Sequence, residues 1–136
     1  MSFNHAVVWL DHAEAHVMGF NAEEVEAKQI HAKSSHKKLH HKSGAPGSGH
    51  ETEDQSYYHE VAQALGGAGE ILIVGPSNAK LFLLKHLQKH DPAVAARVVG
   101  IESIDHPTDG QVVAYARHYF VAADRMRGDA GLRGGA

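Results

Sequence analysis

The densest chemistry in this chain lies in residues 31–50, HAKSSHKKLHHKSGAPGSGH, with five histidines, four lysines and no acid. His36 and His40 are spaced so that a helix would set both imidazoles on one face. His41 and His50 could complete a ligand set, and Zn²⁺ or Ni²⁺ accepts imidazole nitrogen. The same stretch also has the chemistry of an RNA contact. Lys33, Lys37, Lys38 and Lys42 would attract phosphates and release counterions. Gly47 and Gly49 let the backbone approach closely. His36, His40, His41 and His50 can stack on exposed bases and gain charge near neutral pH. A third chemistry, His50 as a general base, requires an orienting neighbour and a substrate pocket, and the sequence shows neither. Metal tract, RNA-binding arm and solvated spacer all remain open on these residues.

Carboxylates offer less. A nuclease of the ribonuclease H type needs several acids converging on two metal ions. Asp11, ending an apolar run, and Glu60, inside a helical stretch, supply two. The third should follow the run ILIV, where the chain instead reads Gly75-Pro76-Ser77-Asn78. Asp11 therefore reads as a turn residue and Glu60 as a solvated helix face, and no catalytic residue is assigned. GPSNAK, at 75–80, opens a helix whose free amides could bind an anion or simply be capped; its spacing is not that of a P-loop.

The whole chain bounds these options. Its 136 residues suit one domain, and an apolar content of 43% allows a core. The formal net charge is −3 with histidines neutral, yet no Asp or Glu occurs between Ala27 and Glu51. Absence of cysteine excludes disulfides, thiolate metal sites and a Cys nucleophile. No secretory leader and no membrane span are expected, so the expectation is a cytoplasmic protein without a cofactor.

Positioning falls to the elements. HAVVWL (5–10), AHVMGF (15–20) and VEAKQI (25–30) read as three strands joined by tight turns, hence an antiparallel meander. The histidine-lysine stretch follows as a long loop, 31–52, of the kind that is uncommon within a compact domain. Residues 52–65 read as a helix with Tyr58, Val61, Ala62 and Leu65 on one face. ILIV (71–74) is a strand buried on both sides. A second helix runs to about Lys89 with Leu81, Leu84 and Leu87 inward, and PAVAA makes a short helical turn. A strand over 97–104 precedes a last helix over 111–126, with Thr108 or Asp109 as its N-cap. The order βββαβαβα predicts an α/β, ribonuclease H-like domain: a five-stranded mixed sheet with helices on both faces, over 1–127, then a disordered tail over 128–136.

At EILIVGPSNAKLFLLKHL the chain resembles the middle domain of class-one peptide-chain release factors and of Pelota, and more closely their small bacterial relatives called translational machinery proteins. In those domains the fourth strand enters a Gly-Pro turn and then a helix containing Lys, as Gly75, Pro76 and Lys80 do here. DHPTDGQVVAYARHYF resembles the start of the final helix in the bacterial relatives. The resemblance covers most of residues 4–126. It implies a ribonuclease H-like fold without nuclease carboxylates. It also implies a role on the ribosome, since release factors carry a Gly-Gly-Gln tip between the third strand and first helix. Here that place holds SGAPGSGHET, with Gly47-Ser48-Gly49-His50 the nearest analogue and no Gly-Gly-Gln. Pelota also lacks that motif and acts without hydrolysis. The expectation is a non-catalytic, translation-associated module for rescue, hibernation or stress. It would contact ribosomal RNA or tRNA through Lys33, His36, Lys37, Lys38, His40, His41, Lys42, Gly47, Gly49 and His50, alone or with a protein partner. The alternatives are a hydrolase of peptidyl-tRNA or RNA, using His50 or the Asp11/Glu60 pair, and a histidine-rich metal-binding protein using His36, His40, His41 and His50.

Overall fold

The computed structural model describes residues 3–33 and 55–135, with side chains described for 3–33, 55–123 and 125. It divides into two units, Met1–His106 and Pro107–Ala136. In the first, the strands are β1 (His5–Leu10), β2 (Glu14–Phe20), β3 (Val25–His31), β4 (Glu70–Gly75) and β5 (Val98–Ser103). Its helices are α1 (Gln55–Leu65), α2 (Ala79–His90) and the short α3 (Pro92–Ala95). The second unit is α4 (Asp109–Gly135) with its leading turn.

The strands form one mixed five-stranded sheet in the order β3-β2-β1-β4-β5. β1–β2 and β2–β3 pair antiparallel, whereas β1–β4 and β4–β5 pair parallel. The two hairpins close by the same device. Asp11 Oδ1 accepts the amides of Ala13 and Glu14 at 2.8 and 2.9 Å, and Asn21 Oδ1 those of Glu23 and Glu24 at 2.9 and 2.7 Å. A short polar side chain that mimics a backbone turn explains the tight meander. Parallel neighbours cannot be joined by a hairpin, so α2 and α3 carry the β4-to-β5 connection, while α1 lies between β3 and β4 in the chain.

Alternation along the strands builds the core. One sheet face presents Ala6, Val8, Leu10, Ala15, Val17, Ile30, Ile71 and Ile73 to Tyr57, Tyr58, Val61, Ala62 and Leu65 of α1 and Ala79, Leu83 and Leu87 of α2. Each such fully buried aliphatic side chain contributes roughly 1.5–3 kcal/mol. The opposite face carries Val7, Trp9, Met18, Phe20, Leu72 and Val74, also buried. At the end of β4, Gly75 passes so close to β1 that a Cβ there would run into the Leu10 carbonyl oxygen. That approach requires a glycine.

Two expectations change. The α2 stripe is Ala79, Lys80, Leu83, His86 and Leu87, while Leu81 is 51% exposed and Leu84 half-buried. A strict three-residue step drifts off the face of a 3.6-residue helix. Polar Lys80 and His86 concealed the true phase. In the second unit, Thr108 is the cap: its Oγ1 accepts the Gln111 amide at 3.2 Å, and its own amide donates to Gln111 Oε1 at 2.9 Å. This reciprocal pair is a capping box. From there α4 continues past Met126 to Gly135. Residues 127–135 include Ala130, Leu132 and two arginines with no proline, so the helix meets no obligatory stop, although glycine weakens it.

Candidate functional site

Of the residues proposed to contact RNA, Lys33 is described, exposed just beyond β3. His36, Lys37, Lys38, His40, His41, Lys42, Gly47, Gly49 and His50 lie outside the described residues, and with them the four histidines proposed as metal ligands.

The structure does define where that segment leaves and rejoins the fold. On the departing side, the Ala32 amide donates to the Ala13 carbonyl at 2.8 Å, just after His31 pairs with Glu14. On the returning side, the Tyr57 hydroxyl donates to the Asp11 carbonyl at 2.9 Å. Both roots are therefore bonded to one turn, Asp11–Ala13, at the end of β1.

That turn gathers further groups. His12 Nε2 lies 3.2 Å from Asn78 Oδ1, linking it to the Gly-Pro turn that precedes α2. His106 Nε2 lies 3.6 Å from Asp11 Oδ2, and its ring meets Trp9 edge-on at 4.7 Å. Trp9 Nε1 donates to the Asp105 carbonyl at 2.7 Å. Glu14 Oε1 is 3.5 Å from Nε2 of both His16 and His31. The sheet end around the roots thus presents several imidazoles and Lys33, with Asp11 and Glu14 already engaged by histidines.

Asp11 and Glu60 have separate surroundings. Asp11 Oδ1 holds the hairpin turn, while Glu60 lines a groove with Glu26, Ala27, Lys28, Gln63 and Ala64. In the 75–80 turn, Ser77 Oγ accepts the Ala79 amide at 3.3 Å and Lys80 Nζ donates to the Ser77 carbonyl at 2.6 Å. Lys80 is otherwise buried along its stem. The N-cap of α2, Asn78, makes no side-chain capping bond, and the turn's lysine is folded inward.

A second group of polar side chains escaped the sequence reading. His59 on α1, His86 on α2 and Asp91 after α2 bring one donor atom each to within 4.8 Å of one another. His86 Nδ1 lies 2.9 Å from Gln55 Oε1, and the His90 ring lies tilted against His86 at a 4.6 Å centroid separation. Burial, with neighbouring His90 and His59, pushes the His86 pKa below its ordinary 6.5, against an upward pull from Asp91. The only signal in the sequence was His86 and His90 at helical spacing. Among 13 histidines it carried no specificity.

No family model and no curated protein matches this sequence. Solved structures do match in fold. Pelota from Archaeoglobus fulgidus superposes with a TM-score of 0.65 at 13% identity, over 97% of this chain and 37% of that one. The archaeal translation termination factor aRF1 gives 0.55 at 11%, over 93% and 39%. Dom34 from S. cerevisiae, described as a translation termination-like factor involved in RNA quality control pathways and interacting with Hbs1, gives 0.54 at 12%, over 82% and 31%. This chain spans between three and four tenths of the length of each. With its sheet order and meander-then-crossover topology, the chain has the Pelota and release-factor-like middle-domain fold.

Proposed function

We propose that this chain is a translation-associated module that engages the ribosome, contacting ribosomal RNA or tRNA through residues 31–50, without hydrolytic chemistry of its own. The observation that carries the proposal is the fold likeness to Pelota over 97% of the chain. Likeness to aRF1, a translation termination factor, and to Dom34, with its RNA quality-control description, points the same way. A protein partner in translation belongs to the same proposal, by analogy with the Dom34–Hbs1 interaction. A role in rescue, hibernation or stress, in the cytoplasm, follows from it. Among the described residues no helix is long and apolar enough to cross a membrane.

Electrostatics supports the segment as the contact. Five lysines from Lys28 to Lys42, uninterrupted by acid, form a local cationic run on a chain of net negative charge. Such a run draws in phosphate while the rest of the molecule limits indiscriminate binding. The non-catalytic reading is supported by Asp11, whose carboxylate serves its turn and His106.

Co-sedimentation with ribosomes tests the proposal. Wild type is expected to pellet with ribosomes at low salt and to be released as salt rises. K33A/K37A/K38A/K42A is expected to stay in the supernatant while keeping its circular dichroism spectrum. Equal pelleting of the two proteins, or no pelleting of wild type, would sink it.

A further inference from the structure

We propose that His59, His86 and Asp91 form a site for a borderline divalent metal ion, Zn²⁺ foremost, on the α1–α2 face of the first unit. Their three donor atoms lie within 4.8 Å of one another, close enough for a single ion to sit among them after small side-chain adjustments.

The second observation is independent of that convergence. His86 Nε2 and Asp91 Oδ2 are both buried and, among the described residues, have no hydrogen-bond partner. Buried polar atoms are nearly always satisfied, so two orphans on residues that already converge call for a ligand. His86 is 7% exposed as a residue, which makes solvent a poor substitute.

Hydrogen bonding sets the ligating state of His86. Gln55 Oε1, at 2.9 Å from Nδ1, can only accept, so Nδ1 carries the proton. The lone pair is then on Nε2, the orphaned nitrogen. An imidazole whose far nitrogen donates to an oxygen is the usual arrangement around a bound metal, because that partner fixes the tautomer and the ring plane.

Asp91 is similarly held. Its amide donates to the Leu87 carbonyl at 2.8 Å, and its carbonyl accepts from Val94 and Ala95 at 2.9 and 3.0 Å. It occupies the N-cap position of α3, yet its carboxylate makes no capping bond. An N-cap Asp normally closes onto the helix amides. Here the backbone is fixed and the side-chain oxygen faces the imidazoles instead. His59 is exposed and gives an ion a way in from solvent.

Two imidazoles and one carboxylate select the metal. Ca²⁺ and Mg²⁺ favour oxygen shells, and Cu(I) favours sulfur, whereas Zn²⁺ takes a His/His/carboxylate set with a fourth position for water. Bound there, the ion would tie α1 to α2.

The test must separate this site from His36, His40, His41 and His50. The untagged full-length chain with those four changed to Ala provides the background. Titration with Co²⁺ should give about one equivalent with the visible d–d bands of a low-coordinate ion. Zn²⁺ should displace the Co²⁺ and raise Tm. H59A and D91N in that background are expected to lose the bands and the Tm rise, with the metal-free Tm of H59A unchanged because that side chain is exposed. Q55A should keep the stoichiometry but bind roughly tenfold more weakly. Absence of metal from the background protein, or unchanged binding by H59A and D91N, would overturn the site.

Discussion

Asp11 shows how one residue can look catalytic and serve geometry. Ending a central strand, it stands where a nuclease acid would stand. Its Oδ1 instead accepts two turn amides, just as Asn21 does at the next hairpin, where no charge is required. His86 is the converse case. A histidine within a helix carries no message in the sequence, but burial and its neighbours His90 and His59 depress its pKa, partly countered by Asp91. The stability consequence has a definite sign. Below about pH 6.5 the unfolded imidazole gains a proton that the folded one resists. The unfolded state then binds more protons, and stability falls as pH drops from that value through the folded pKa. Urea unfolding of the metal-free protein, with chelator present, should show this decline, and His86→Asn should flatten it. Identical slopes for variant and wild type would remove His86 as its source.

At the scale of elements, the strands were the most legible part. Apolar alternation and tight polar turns mark β1, β2 and β3 to within a residue, because a half-buried strand imposes its period on the sequence. Helix α2 was legible in extent and misread in phase. Its buried stripe includes Lys80 and His86, polar by type but inward by position. A pattern read from leucines alone therefore rotated the helix and brought Leu81 in. Two substitutions separate the phases. Leu83→Ala should cost roughly 2–5 kcal/mol, since it opens a cavity in the core. Leu81→Ala should stay within about 0.5 kcal/mol. Chemical denaturation of both reads the difference directly, and comparable losses would restore the phase drawn from the leucines. The His59–His86–Asp91 group was illegible for a related reason. Its members come from α1, from α2 and from the residue after α2, with β4 between the two helices, and only tertiary packing brings them together.

For the whole molecule, the topology was accessible because three short-linked strands followed by a crossover leave few arrangements of five strands. The position of the lysine-histidine segment came with it. What the sequence could not supply is that both roots bond to the Asp11–Ala13 turn. The two flanks of the segment are therefore closed on each other through one turn. Replacing residues 34–54 with a short Gly/Ser linker should change unfolding free energy by no more than about 1 kcal/mol, since closure entropy varies only logarithmically with loop length. The same exchange should eliminate salt-sensitive ribosome pelleting. A large loss of stability would show that the segment packs into the core, and retained pelleting would move the contact elsewhere.

The shared anchorage also has a mechanical meaning. A pull on residues 34–54 reaches β3 and α1 through the chain, and the Asp11–Ala13 turn through the Ala32 and Tyr57 bonds. Load is thereby passed to β1, the middle of five strands, which is held by antiparallel pairing on one side and parallel pairing on the other. Edge strand β3, from which the chain departs, is thus tied by the Ala32 and Tyr57 bonds to the turn that closes the central strand, so load on it is shared between an edge and the middle of the sheet.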